Sequence, residues 1–147
     1  MIIRDWDFPE DLYYLIEKHV WVRPISGGLV RLGLTPVAYH LLNDSLTAIS
    51  IQTRSVGQLV SKGKSLAMVE SLKYIGPLAA PLTGIFVRGN DLLTTGPDLA
   101  VADPYGAGWI AEMQPADWPA AQADLLTGPA AIAAYTRLLD AEKIAWV

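Results

Sequence analysis

The feature that most constrains the fold is the stretch from 66 to 84, L-A-M-V-E-S-L-K-Y-I-G-P-L-A-A-P-L-T-G. One apolar run rises to Glu70-Ser71, Lys73 follows, and a second apolar run descends through Pro77 and Pro81 to Gly84. Strand-like sequence on both sides makes this a hairpin with the lysine at its tip. Apart from Lys73, no lysine lies between Lys64 and Lys143. A lone amine flanked by Leu72 and Tyr74 on a tight turn is accessible and held in a defined orientation, the two conditions a modification site needs.

The rest of the chain reads as a β body with helices at its margins. Residues 8–18 place Pro9 ahead of Leu12, Leu15 and Ile16 at helical spacing, which predicts a short N-terminal helix. His19 to Arg23 and L-V-R-L-G-L at 29–34, separated by a turn at 24–28, predict a hairpin. Thr35-Pro36 predicts a helix start with the threonine hydroxyl as cap, and Val37, Ala38, Leu41 and Leu42 form its apolar face up to Asn43-Asp44. From Leu46 to Asp103 there is almost no helical period. Val60-x-x-Gly63-x-x-Leu66-x-x-Val69-Glu70 recurs as Leu93-x-x-Gly96-x-x-Leu99-x-x-Ala102-Asp103, predicting two strand-turn-strand units that bracket Lys73. A last strand is expected at 109–113, and proline at 129 with an apolar face of Ile132, Tyr135, Leu138 and Leu139 predicts a C-terminal helix over 129–143.

The expected architecture is therefore mainly β with peripheral helices (α+β): two small facing sheets sharing one core. A single domain over 1–147 follows, with its core at 19–117 and a C-terminal helical extension at 118–147. The formal net charge of -4 offers nucleic acid no counter-charge. With no long apolar window and a charged N-terminal stretch, no membrane contact is expected and the expected location is cytoplasmic. No cysteine is present, and His19 and His40 are the only histidines, so neither a thiolate nor a histidine-rich metal site is expected. Asp5, Asp7, Glu10 and Asp11 read as a solvated acidic end, and Trp21 and Trp109 as core aromatics. Ser45, Ser50 and Ser71 have no base arranged around them, so the chain reads as no enzyme of its own.

Glu70-Ser71-Leu72-Lys73-Tyr74 resembles the E-S-V-K-A lipoyl-attachment motif of glycine cleavage system H proteins. H-V-W-V at 19–22, L-G-L-T-P-V-A at 32–38, A-P-L-T-G at 80–84 and D-P-Y-G-A-G-W at 103–109 resemble further segments of that family in the same order. The resemblance implies a lipoyl/biotinyl-type barrel-sandwich hybrid and lipoic acid in amide linkage to Lys73, attached by a lipoate ligase or lipoyl transferase that recognises Glu70 and Gly84. Biotinyl domains resemble this architecture but flank their lysine with methionines, where this chain has Leu72 and Tyr74.

The resemblance also implies a cleft that shelters the loaded arm, and here the chain departs from the family pattern. Val20, Leu41 and Pro77 occupy positions where that pattern has glutamate, histidine and aspartate, and His40 sits one position off. An apolar cleft is a costly place for a cationic amine. The departures predict a neutral or sulfur-bearing cargo, as in the divergent lipoate-binding proteins that work with heterodisulfide-reductase-like complexes in bacterial sulfur oxidation. Glycine cleavage enzymes, with the aminomethyl group as cargo, are the alternative, and an unmodified scaffold is a third reading. Dihydrolipoamide dehydrogenase is an expected partner in either carrier role.

Overall fold

The structure, a computed structural model, describes residues 6–141 and the backbone of Ile2–Ile3. Asp5 and positions 142 and 143 of the expected C-terminal helix lie outside the described residues. Ile2–Ile3 (β1) pairs with Trp6–Asp7 (β2) as a small ribbon. The larger sheet orders seven strands as Leu126–Thr127 (β12), Tyr13–Leu15 (β3), Val20–Pro24 (β4), Val30–Leu34 (β5), Ala111–Pro115 (β11), Gly84–Gly89 (β10) and Leu59–Val60 (β7). The smaller sheet orders Ala48–Ile51 (β6), Ser65–Glu70 (β8) and Ile75–Ala79 (β9).

The two sheets meet in one core. Val20, Val22, Leu32, Phe86 and Met113 from the large sheet join Ile49, Ala67, Val69 and Leu78 from the small one. Each such Val or Leu, removed from water, contributes about 1.5–3 kcal/mol. The opposite face of the large sheet carries a second cluster, in which Phe8, Leu12, Tyr14 and Trp21 pack against Ile132, Tyr135 and Leu139 of the C-terminal helix (α5, Gly128–Asp140). That helix presents the face expected from its spacing. The β4–β5 hairpin also forms as expected, with Trp21 opposite Gly33, where a Cβ would meet the indole ring at 2.9 Å. The row beyond it on this face holds Glu112, fully buried between the Arg31 and Arg88 guanidiniums. Trp109, half-buried, lies against both arginines.

Three expectations are corrected. Residues 8–18 form no α-helix: β3 pairs with β4, and a 3-10 turn at Ile16–Lys18 follows. Tyr14 and Ile16 face the second cluster while Leu15 faces the main core, a period of two that a short apolar run cannot distinguish from helical spacing. The second half of the apparent repeat is helical, with Leu92–Thr95 (α2) and Asp98–Ala102 (α3) around Gly96-Pro97. Leucine and alanine favour helix there, and Pro97 cannot donate to a ladder. The Thr35 hydroxyl does not cap Pro36–Leu41 (α1), because it is fully buried and turns to the Tyr135 hydroxyl at 3.1 Å. Trp118–Ala123 (α4) completes the helices, capped by Asp117 Oδ1, which accepts from the Ala120 N–H at 3.1 Å. Among the described residues no helix is long and apolar enough to cross a membrane.

Candidate functional site

β8 and β9 place Lys73 at the end of the small sheet. Their register runs Ala67–Leu78, Met68–Pro77, Val69–Gly76 and Glu70–Ile75, leaving 71–74 as the connection. Ser71 closes this turn twice: its N–H donates to the Tyr74 carbonyl at 2.8 Å, and its Oγ accepts from the Tyr74 N–H at 3.1 Å. The base of the turn is fixed from the other side, where the Thr47 N–H donates to the Glu70 carbonyl at 2.8 Å and Thr47 Oγ1 adds a bond at 3.2 Å. Lys73 is exposed on this braced turn, with Leu72 93% and Tyr74 54% exposed beside it. The Gly63 turn, at φ +92°, lies at the far end of β8 from Lys73.

A shallow cleft of about 130 Å³ opens directly at the lysine, lined by Leu42, Asn43, Ser45, Thr47, Ser71, Leu72 and Lys73. Its wall is the segment after α1, where Asn43 (φ 63°) and Asp44 (φ 58°) adopt the left-handed conformation that these two residue types tolerate best. Leu42 and Leu72 give the cleft apolar surface, while Asn43, Ser45 and Thr47 bring hydrogen-bonding groups. For an acyl chain on the Lys73 amine, Leu42 and Leu72 would offer surface to methylenes and Asn43, Ser45 and Thr47 would offer hydrogen-bonding groups to a polar end.

The cleft residues expected from sequence do not line it. Val20 is fully buried in the main core, opposite Leu34 and Leu15. Leu41 is half-buried, one position short of the lining Leu42. His40 is exposed, with Nδ1 3.5 Å from Asp44 Oδ2 and its ring against Trp6. Pro77 lies in β9 opposite Met68. The opening at Lys73 thus has a mixed lining, in which Asn43, Ser45 and Thr47 were out of reach of motif matching. The positive-φ pair after α1 could have been suspected from the Asn-Asp dipeptide that ends the helix.

Glu70 and Gly84 sit on different sheets. Glu70 ends β8, half-buried between Ala48 and Ile75. Gly84 opens β10 between Val60 and Pro115, where a Cβ would collide with the Gln114 carbonyl oxygen. The D-P-Y-G-A-G-W segment is architectural: Asp103 Oδ2 accepts from the Ala107 N–H at 2.9 Å, and its carbonyl accepts from the Gly108 N–H at 2.9 Å. Tyr105 ties this loop to the N-terminal ribbon, its hydroxyl donating to the Asp7 carbonyl, and to β4, its carbonyl accepting from the Arg23 guanidinium.

Residues 12–137 match the family described as Glycine cleavage H-protein. The glycine cleavage system H protein of Myxococcus xanthus is 40% identical over 134 residues, covering 91% of this chain and 96% of that one. Glycine cleavage system H protein 2 of Aquifex aeolicus is 37% identical over 136 residues, covering 92% and 83%. A crystal structure of a glycine cleavage system H protein from Mycobacterium marinum aligns with a TM-score of 0.69 at 36% identity, over 82% of this chain and 92% of that one. Glycine cleavage H proteins carry lipoic acid on a lysine. With family, relatives and fold in agreement, the chain belongs to the glycine cleavage H-protein family.

Proposed function

We propose that this chain is a lipoyl carrier of the glycine cleavage type, with the arm in amide linkage to Lys73. The observation that carries the reading is the exposed Lys73 on a turn closed by Ser71 and Tyr74 and braced by Thr47, at the mouth of a cleft. A flexible arm needs a fixed base, and two paired strands supply it. When bound, the dithiolane would supply the group-carrying and electron-transferring chemistry. The chain's own residues present the amine, offer Leu42 and Leu72 to the arm's methylenes, and set Asn43, Ser45 and Thr47 at the cleft for a polar cargo. In this reading the attaching enzyme recognises Glu70, and Gly84 acts through the sheet pairing it permits. The partners are the attaching enzyme, the glycine cleavage enzymes and dihydrolipoamide dehydrogenase.

A second reading keeps the carrier and changes the client to a heterodisulfide-reductase-like complex of sulfur oxidation. Its support is the absence of ionisable side chains at Val20, Leu41 and Pro77. The names of the similar proteins favour glycine cleavage. Incubating the lipoylated chain with a glycine decarboxylase subunit and labelled glycine separates the two. Transfer of the aminomethyl label at a rate within about tenfold of an authentic glycine cleavage H protein is expected, about 1.4 kcal/mol in barrier. A lipoylated chain that accepts no label would refute the glycine cleavage role and leave the second reading.

A further inference from the structure

Four charged residues lie side by side across the large sheet. The register pairs Arg23 of β4 with Arg31 of β5, Arg31 with Glu112 of β11, and Glu112 with Arg88 of β10. Residues directly opposite in a ladder share a face, and the neighbouring Val22, Leu32, Ala111 and Met113 belong to the main core. The charged row therefore faces away from that core, while the small sheet that ends in Lys73 packs on its other side. Three guanidiniums against one carboxylate leave positive charge in excess, on a chain whose formal net charge is -4. Among the described residues no other carboxylate is within ion-pair distance of the three arginines.

The row is held in place from below and open above. Glu112, fully buried, accepts from Arg31 Nε at 2.9 Å and from Arg88 Nε, and Arg31 Nη2 lies 2.8 Å from it. The guanidinium carbons of Arg31 and Arg88 lie 4.7 Å and 6.0 Å from the centre of the Trp109 ring. Arg23 stands over Trp21 at 5.4 Å and donates Nη1 to the Tyr105 carbonyl at 2.7 Å. Long side chains fixed in this way lose less entropy when a partner arrives. Nη1 and Nη2 of Arg88, Nη1 of Arg31, and Nε and Nη2 of Arg23 are not taken up by hydrogen bonds among the described residues. The Arg88 side chain is 62% exposed and that of Arg31 30%, so these donors are within reach from solvent.

We infer that this arginine row is a docking surface for an acidic segment of a partner protein, whose carboxylates pair with the outward edges of Arg88, Arg31 and Arg23. A guanidinium presents parallel N–H groups that match the two oxygens of a carboxylate. With adjacent strands about 4.8 Å apart the row spans about 14 Å, which an extended segment covers in about four residues. Three arginines suit a short acidic segment better than a larger polyanion. Nucleic acid is held through many phosphate contacts, and anionic membranes through clusters of about four to eight basic residues. The inference goes beyond the carrier reading and does not depend on it. A partner seated here lies across the core from the small sheet, so it would hold the chain while leaving the Lys73 tip open.

The test is fluorescence anisotropy of labelled hexaglutamate titrated with the full chain at about 50 mM salt, where exposed charges are weakly screened. The wild-type chain is expected to bind with a Kd below about 1 mM. Arg88→Gln keeps the Arg31–Glu112 pair, and Gln114→Glu adds a carboxylate two residues along β11 on the same face. Each is expected to raise Kd at least about fivefold. Gln114 is exposed and outside the row, so Gln114→Glu serves even if Arg88→Gln folds poorly. Ser50→Glu, exposed on β6 of the small sheet, makes the same change in net charge as Gln114→Glu and should match wild type. Wild-type affinity in a folded Gln114→Glu, an equal loss in Ser50→Glu, or no binding to the wild-type chain would each overturn the assignment. Tighter binding of labelled hexathymidylate than of hexaglutamate at the same salt would also overturn it, by making the row a phosphate site. Anisotropy does not read acylation, so failure here is separate from failure of the lipoyl assignment.

Discussion

The Tyr135 hydroxyl lies 3.1 Å from the Thr35 hydroxyl, joining the C-terminal helix to the residue that opens α1. It also lies 3.2 Å from His19 Nδ1, and all three residues are fully buried. This polar contact inside the second cluster holds α5 against the sheet. Tyr135→Phe should cost about 1–3 kcal/mol, because the Thr35 hydroxyl stays buried without this partner. The urea midpoint should fall with an unchanged slope, and pairing the change with Thr35→Val should recover part of the loss. An unchanged midpoint in the single variant would show that the contact contributes nothing.

Gly84 is required by the Gln114 carbonyl that a Cβ would strike. Gly84→Ala should destabilise the fold by about 1–3 kcal/mol through overpacking. The acylation defect of the variant should then track its unfolded fraction, measured by thermal melting followed by circular dichroism. A fully folded Gly84→Ala that is still acylated poorly would instead make Gly84 a direct contact for the attaching enzyme.

Tyr14, Tyr39, Tyr105 and Tyr135 all have phenols pushed above their ordinary pKa, in each case chiefly by burial. The folded state therefore holds these protons more tightly than the unfolded state, whose phenols titrate near 10. Their contribution to stability is complete below about pH 10 and falls as pH rises beyond it. Equilibrium unfolding from about pH 8 to about pH 12 should show flat stability and then a decline, with phenolate absorbance of these four rising only as the chain unfolds. Constant stability while every phenol titrates would contradict this.

Much of the fold was legible because it is encoded locally. The hairpin at Lys73, the β4–β5 pair and the face of α5 each follow from spacing and turn residues within one element. The missed parts depend on partners distant in sequence. Residues 13–15 become a strand because β4 lies beside them and β12 pairs from the far end of the chain, which also enlarges the expected small sheet to seven strands. Thr35 had the residue type of a cap, yet the burial created by α5 redirected its hydroxyl to Tyr135. The lining of the opening at Lys73 was hidden for a related reason. Motif positions predicted Val20 and Pro77, whereas the positive-φ segment after α1 brings Asn43 and Ser45 to the lysine.

The central claim is that Lys73 carries the arm, and site-localised mass spectrometry of the chain produced in a lipoylating host tests it most directly. The account predicts one lipoyl group in amide linkage, mapped to the peptide containing Lys73. It also predicts that Lys73→Arg loses the group while keeping its stability within about 0.5 kcal/mol of wild type, because the side chain is exposed. A lipoyl group on any other lysine, or none on Lys73 with a competent ligase present, would contradict it.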